Sequence, residues 1–317
     1  MIDPNNRPGG PRLVVTCKTA NKVQFFDAET LEKTGEIDMP ASTHEMVLSA
    51  DGRQVFASVY GGGIFGRNAN PDRRIALIDL ERRTLARMID VGADVAPHGV
   101  MLDRDGTLWS TAELGNAVLA IDPVSGDLRS VDTGKAAHWL AVSHEADKVF
   151  ASCKTSDFVA VIDRRKRTMT GRLPIPDLAE GLCVSPDGRS LFVCAHRSPT
   201  LYVFDAIAET LRKTVAIAGG EGKPNQLKRV RVSPDGHFVC VSSLLDNHVA
   251  IFDAASMTQI ASIATPKGPM GFGFAQDGRH AFLCCHDDAV VLEFDLSSGE
   301  ITRQFQTASG CEYVIAY

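Results

Sequence analysis

The sequence predicts an all-β fold, a seven-bladed β-propeller with four antiparallel strands in each blade. Three observations predict it. A phrase of alternating apolar residues closing on Ile-Asp or Phe-Asp recurs seven times: VQFFD at Asp27, IALID at Asp79, VLAID at Asp122, VAVID at Asp163, LYVFD at Asp205, VAIFD at Asp253 and VLEFD at Asp295. The copies are spaced about 41 to 52 residues apart, the length of one blade. Asp-Gly turns separate the short apolar runs between the copies, at Asp51-Gly52, Asp105-Gly106, Asp187-Gly188, Asp235-Gly236 and Asp277-Gly278.

Each blade reads in the same order. The first strand is a segment such as HEMVLS, HGVMLD, HWLAVS or EGLCVS. The Asp-Gly turn follows, because Gly accepts the positive φ that a tight hairpin demands. The third blade has Glu145-Ala146-Asp147 instead, so its turn must differ. The second strand (VFASVY, LFVCAH, AFLCCH) leads to a polar corner at Asn21, Asn116, Asp157, Asn247 or Asp288. The recurrent phrase is the third strand, and its Asp opens the turn to a fourth. Period-two alternation fits strands packed between neighbouring blades.

The chain opens with a second-type strand, Arg12 to Lys18, that lacks a first strand before it. It closes with CEYVIAY, Cys311 to Tyr317, a first strand with nothing after it. Joined, the two ends complete the seventh blade and leave no exposed sheet edge there. Residues 1–11 therefore read as a flexible tail and 12–317 as a single propeller domain.

Composition bounds the function. The formal net charge is -6 and no basic stretch offsets it, which argues against a nucleic-acid partner. No apolar run has the length of a signal core or a membrane span, so no membrane association is expected and the default compartment is the cytoplasm. The eight Cys contain no CxxC pair, and most lie in strands among Val, Ala, Ser and Phe, where they read as small buried hydrophobes.

The SPDGR and SPDGH turns at Ser185 and Ser233, with the Asn-x-Val-x-x-x-Asp corners at Asn21, Asn116 and Asn247, carry a family resemblance. Over nearly its whole length, from about Arg12 to Tyr317, the chain resembles the YVTN-type and lactonase-like seven-bladed propellers. The literal Tyr-Val-Thr-Asn tetrad is absent. The resemblance implies the fold; such propellers include binding modules, scaffolds and several kinds of enzyme.

First strands line the central channel. Counting five residues back from the residue before each turn gives His44, His98, His138, Glu180, Lys228, Met270 and, from Ala316, Cys311. Three His and one Glu in four consecutive blades suit a divalent transition metal such as Zn, Fe or Mn, with positions left open for substrate. His44, His98, His138 and Glu180 are thus the candidate ligands, although a salt bridge from Glu180 to Lys228 competes with ligation. Glu45 and Trp139 lie one residue later and are expected to point away, into the blades.

A second ring comes from the ends of the second strands: Lys18, Tyr60, Glu113, Lys154, His196, Leu244 and His286. Tyr60, Lys154, His196 and His286 are candidate acids and bases. Lys18, Glu113, Lys228 and Arg229 are candidate substrate contacts. The cations make the mouth locally positive and suit a small anionic molecule. Residues 61–74 (GGGIFGRNANPDRR) form a long loop on this face, with Gly61-Gly62-Gly63 as a candidate hinge and Ile64 and Phe65 as a lid tip; 218–227 form a second. No GxSxG or HExxH is present.

The leading expectation is a metal-dependent enzyme of the lyase, isomerase or lactone hydrolase class. The alternatives are a non-catalytic ligand- or protein-binding propeller, and a metal-free lactonase-like enzyme using His98, Glu180 and Arg229.

Overall fold

The computed structural model describes residues 10–64, 67–154, 156–218 and 226–317. The tail before Gly10, the lid-tip residue Phe65 and most of the 218–227 loop lie outside the described residues.

Seven four-stranded antiparallel sheets form seven blades, each running from an inner first strand to an outer fourth one. The inner strands are Ser42–Leu48, Pro97–Leu102, Ala137–Ser143, Ala179–Val184, Leu227–Val232, Pro269–Phe274 and Cys311–Ala316. The last of these pairs antiparallel with Arg12–Cys17, so both ends of the described chain close one blade, as expected. Apolar side chains fill the interfaces between blades; Trp139, Phe150, Tyr202 and Phe204, for example, share one cluster between the third and fourth.

The recurrent Asp has a local cause. Its carboxylate accepts backbone N–H groups two and three residues on: Asp27 takes those of Glu29 and Thr30 at 2.9 and 2.8 Å. Asp79, Asp122, Asp163 and Asp205 repeat the pattern. These bonds satisfy donors that the turn would otherwise leave open. The residue four after each Asp closes the turn at positive φ, at Leu31, Arg83, Gly126, Arg167, Glu209, Met257 and Gly299. In the third blade's Glu-Ala-Asp turn, Asp147 takes the positive φ (56°).

Every inner strand carries a β-bulge. In the third blade Ala137 faces Cys153 and Leu140 faces Ala151, so His138 and Trp139 together oppose Ser152 alone. The extra residue breaks period-two alternation and turns two consecutive side chains to the channel. Glu45, Trp139 and Arg229 therefore point into the channel and not into the blades, contrary to the expectation for Glu45 and Trp139. Around the ring this second position reads Glu45, Gly99, Trp139, Gly181, Arg229, Gly271, Tyr313, alternating large and absent side chains. The glycines admit the next blade's backbone: a Cβ on Gly181 would stand 2.2 Å from the Lys228 carbonyl oxygen, and one on Gly271 2.6 Å from that of Glu312.

All eight cysteines are free and buried, as their strand context implied, and burial pushes the thiols of Cys17, Cys153 and Cys183 up to about 12.

Candidate functional site

A cavity of about 330 Å³ opens at the channel mouth. The two rings read from the sequence meet there. His44, His98, His138, Glu180, Lys228 and Met270 line it from the inner strands, and Lys18, Tyr60, Glu113, Lys154, His196 and Leu244 from the ends of the second strands.

One position is corrected. The last blade contributes Glu312, not Cys311. Tyr317 occupies the place before the missing turn, with its N–H bonded to the Arg12 carbonyl, so counting back from Ala316 falls one residue short. Cys311 pairs with Cys17 and its thiol donates to the Cys285 and Val290 carbonyls inside the blade packing.

The three imidazoles pack against one another in a row, with adjacent ring planes tilted by 45° and 36°. Ring centroids lie 4.5 Å apart for His44 and His98, and 3.9 Å for His98 and His138. Burial, with Lys18 nearby, holds His44 down to about 4, and burial with the flanking imidazoles holds His98 well below its usual range. Both ring nitrogens of His44 and the Nδ1 of His98 have no hydrogen-bond partner among the described residues. Glu312 Oε1 lies 3.6 Å from His44 Nδ1.

His138 is the most heavily engaged. Its Nδ1 bonds Glu113 Oε1, and Tyr60 donates a 2.5 Å hydrogen bond to Glu113 Oε2. On its other side, Nε2 lies 3.1 Å from Lys154 Nζ and 3.4 Å from Glu180 Oε1. Glu180 in turn accepts from Lys228 at 3.2 Å, with Lys154 Nζ at 3.4 Å. Burial opposes the charge on Glu180, but Lys154 and Lys228 outweigh it and hold the carboxyl well below its usual range. Glu113 is held low in the same way, by His138 and Tyr60 against burial.

Arg229 ties together residues of three other inner strands behind this layer. Its guanidinium bonds Glu45 and Glu312 at 3.1 Å each and lies 3.6 Å over the Trp139 ring. Burial leaves Glu45 raised to about 7 despite that partner, while His44, Lys18 and Arg229 hold Glu312 low against its burial.

The predicted residues sort as follows. His98, Glu113 and His138 offer donor atoms all within 4.8 Å of one another, and this is the compact metal-competent set among the described residues. His98 and His138 were expected in such a set; Glu113 was expected as a substrate contact. His44 packs beside the set, and Glu180 takes the lysine pairing that competed with ligation. Tyr60, Lys154 and His196 line the cavity, whereas His286 stands beside it, bonded to Asp287 at 2.9 Å. Gly61 and Gly62 extend the strand Gln54–Gly62 and pair with Pro71 and Asn70, so they form a hairpin ladder in place of a hinge. Ile64 projects from its end, 56% exposed, into the cavity rim.

Sequence reasoning missed Glu312, the inward-facing Glu45 and Trp139, and a set of hydroxyls behind the ring. The signal for the last was present: Thr16, Ser58, Thr111, Ser152 and Ser242 hold one position in five of the second strands.

Comparison with known proteins agrees with this architecture. The family described as Lactonase, 7-bladed beta-propeller matches residues 181–315. Antigen Lp49 of Leptospira interrogans is 24% identical over 271 residues, covering 77% of this chain and 55% of that protein. The chain thus spans about half the length of this curated relative. Among solved structures, the periplasmic gluconolactonase of Pseudomonas aeruginosa superposes with a TM-score of 0.77 at 18% identity, covering 96% of this chain and 98% of that one. A chain of Kuenenia stuttgartiensis hydrazine synthase gives 0.73 at 16% identity, covering 92% and 91%. The chain is a seven-bladed β-propeller, and its residues 181–315 resemble the lactonase propellers.

Proposed function

We propose that this propeller hydrolyses a small anionic lactone in the cavity at its channel mouth. The observation that carries the reading is the buried chain Tyr60–Glu113–His138, which leaves His138 Nε2 facing a cavity walled by Lys18, Lys154 and Lys228. The family match and the gluconolactonase among the structural neighbours support the reaction class.

The Glu113 carboxylate accepts from Nδ1–H of His138, which fixes the tautomer with a lone pair on Nε2. As the lactone carbonyl oxygen draws the Lys154 ammonium from Nε2, water takes its place there and gives up its proton while its oxygen attacks the carbonyl carbon. The carbonyl electron pair moves onto oxygen, where the ammonium of Lys154 stabilises it. As the carbonyl re-forms, the ring C–O bond breaks and the leaving alkoxide takes the proton back from His138, giving a hydroxy acid that releases its carboxyl proton to solvent. Lys18 and Lys228 attract the substrate's anionic group.

A second reading rests on the donor set His98, Glu113 and His138. The fit is good on this structure: two imidazoles and a carboxylate suit Zn, Fe or Mn, and His98 keeps a buried Nδ1 without a hydrogen-bond partner. A divalent metal held there would polarise the lactone carbonyl as a Lewis acid.

The test is ring opening of gluconolactone and of a phosphorylated sugar lactone, followed by pH-stat, with metal content measured by mass spectrometry. His138→Ala and Glu113→Gln each lose on the order of 10²–10⁴ in kcat under the first reading. Activity that survives exhaustive chelation favours that reading; activity lost on chelation and restored by metal favours the second. No turnover of any lactone overturns both.

A further inference from the structure

We infer that the buried hydroxyls of Thr16, Ser58 and Thr111 are positioning groups that set the three-histidine row from the neighbouring blades. Each belongs to the second strand of one blade and stands opposite that blade's bulge. Each accepts the bulge N–H of its own blade: Thr16 from Tyr313 at 3.1 Å, Ser58 from Glu45 at 3.1 Å, Thr111 from Gly99 at 2.8 Å. Each donates its single proton onward to the next blade's ring residue: Thr16 to the His44 carbonyl at 2.9 Å, Ser58 to that of His98 at 2.6 Å, Thr111 to that of His138 at 2.7 Å. All three side chains are fully buried.

All three positions that precede a ring His carry a hydroxyl; Ser152 and Ser242 precede Glu180 and Met270, and Cys194 and Cys284 precede Lys228 and Glu312. An imidazole has two side-chain torsions, so its reach is set almost wholly by its backbone. The row has little slack, with centroids 3.9 and 4.5 Å apart, and its far end must present His138 to Glu113 and Lys154 at once. A hydroxyl that ties the ring carbonyl to the previous blade fixes that backbone and satisfies two buried polar groups.

The kinetic arm of the test rests on the lactone hydrolase reading; the spectroscopic arm does not. Thr111→Val keeps the shape and removes the hydroxyl, and Thr111→Ser keeps the hydroxyl. Imidazole 15N resonances are recorded for both, with His138 assigned by comparison with His138→Gln. Thr111→Val is expected to move the His138 signals and to lose about ten-fold or more in kcat with KM within about two-fold, the pattern of a displaced catalytic group. Thr111→Ser is expected to restore both. A folded Thr111→Val protein with the His138 signals of the parent overturns the inference. If no lactone is turned over, the spectra alone decide, and the functional reading fails separately. If Thr111→Val does not fold, Ser58→Ala read at His98 replaces it, with the same two outcomes.

Discussion

The hydroxyl of Tyr60, at the end of a strand in the first blade, donates a 2.5 Å hydrogen bond to Glu113 of the second blade. Glu113 also holds His138 of the third, so three blades converge on one carboxylate. Burial and the adjacent Glu113 charge push the Tyr60 hydroxyl well above its ordinary range, so it stays a donor across working pH. Tyr60→Phe removes that donor but leaves the carboxylate on His138. It is expected to cost about ten-fold in kcat on a lactone, less than Glu113→Gln, which takes the orienting charge itself. Steady-state kinetics on both variants check the order; equal losses would remove Tyr60 from the chain.

His44 supplies a pH dependence. Its folded value of about 4 lies below the ordinary 6.5 because burial disfavours the cation. Between these values the unfolded chain binds the proton and the folded one does not. The contribution to stability is therefore complete above about pH 6.5 and is lost as pH falls toward 4. Denaturant midpoints for the parent and His44→Gln, taken from pH 4 to 8, are expected to diverge at neutral pH and converge on acidification. A constant gap would refute the assignment.

Ring closure gives a third expectation. Deleting 311–317 removes the inner strand of one blade and bares the edge of Arg12–Cys17. The loss also opens two blade interfaces, so a destabilisation above about 4 kcal/mol, or no cooperative melt, is expected. Thermal unfolding with intact cooperativity and an unchanged midpoint would show that the ring does not depend on this strand.

The turn after each recurrent Asp gives a fourth. Arg167 and Gly126 hold the same place in their turns, at φ 54° and 83°. Arg167→Gly is expected to gain about 0.5–1 kcal/mol, because the left-handed conformation strains any residue with a Cβ. Gly126→Ala is expected to lose a similar amount by backbone conformation alone, since nothing lies within 4 Å of the added Cβ. Chemical denaturation of the pair checks both signs.

The fold was legible because the propeller writes itself repeatedly: the Asp that caps a turn and the Gly that closes a hairpin act locally, and their spacing survives in the text. Most of the cavity was legible for the same reason, since equivalent positions in equivalent strands converge on one axis. Glu312 was hidden by the chain end, which removes the turn used to count. The inward aim of Glu45 and Trp139 was hidden because a bulge is a property of pairing, and period-two reading assigns such residues to the wrong face. The partnership of Glu113 with His138 was hidden because it joins two blades, and nothing within one repeat records which neighbour a side chain reaches.

The bulky and bare positions beneath the cavity have a parity problem. Around the channel they run Glu45, Gly99, Trp139, Gly181, Arg229, Gly271, Tyr313, and an odd ring cannot alternate all the way round. The mismatch falls once, where Tyr313 of the blade closed by both ends meets Glu45 of the next blade. Gaining or losing two blades would preserve the pattern, whereas gaining or losing one would move or erase the fault. An odd number of blades thus leaves one contact at the axis, Tyr313 against Glu45, where two large side chains are neighbours.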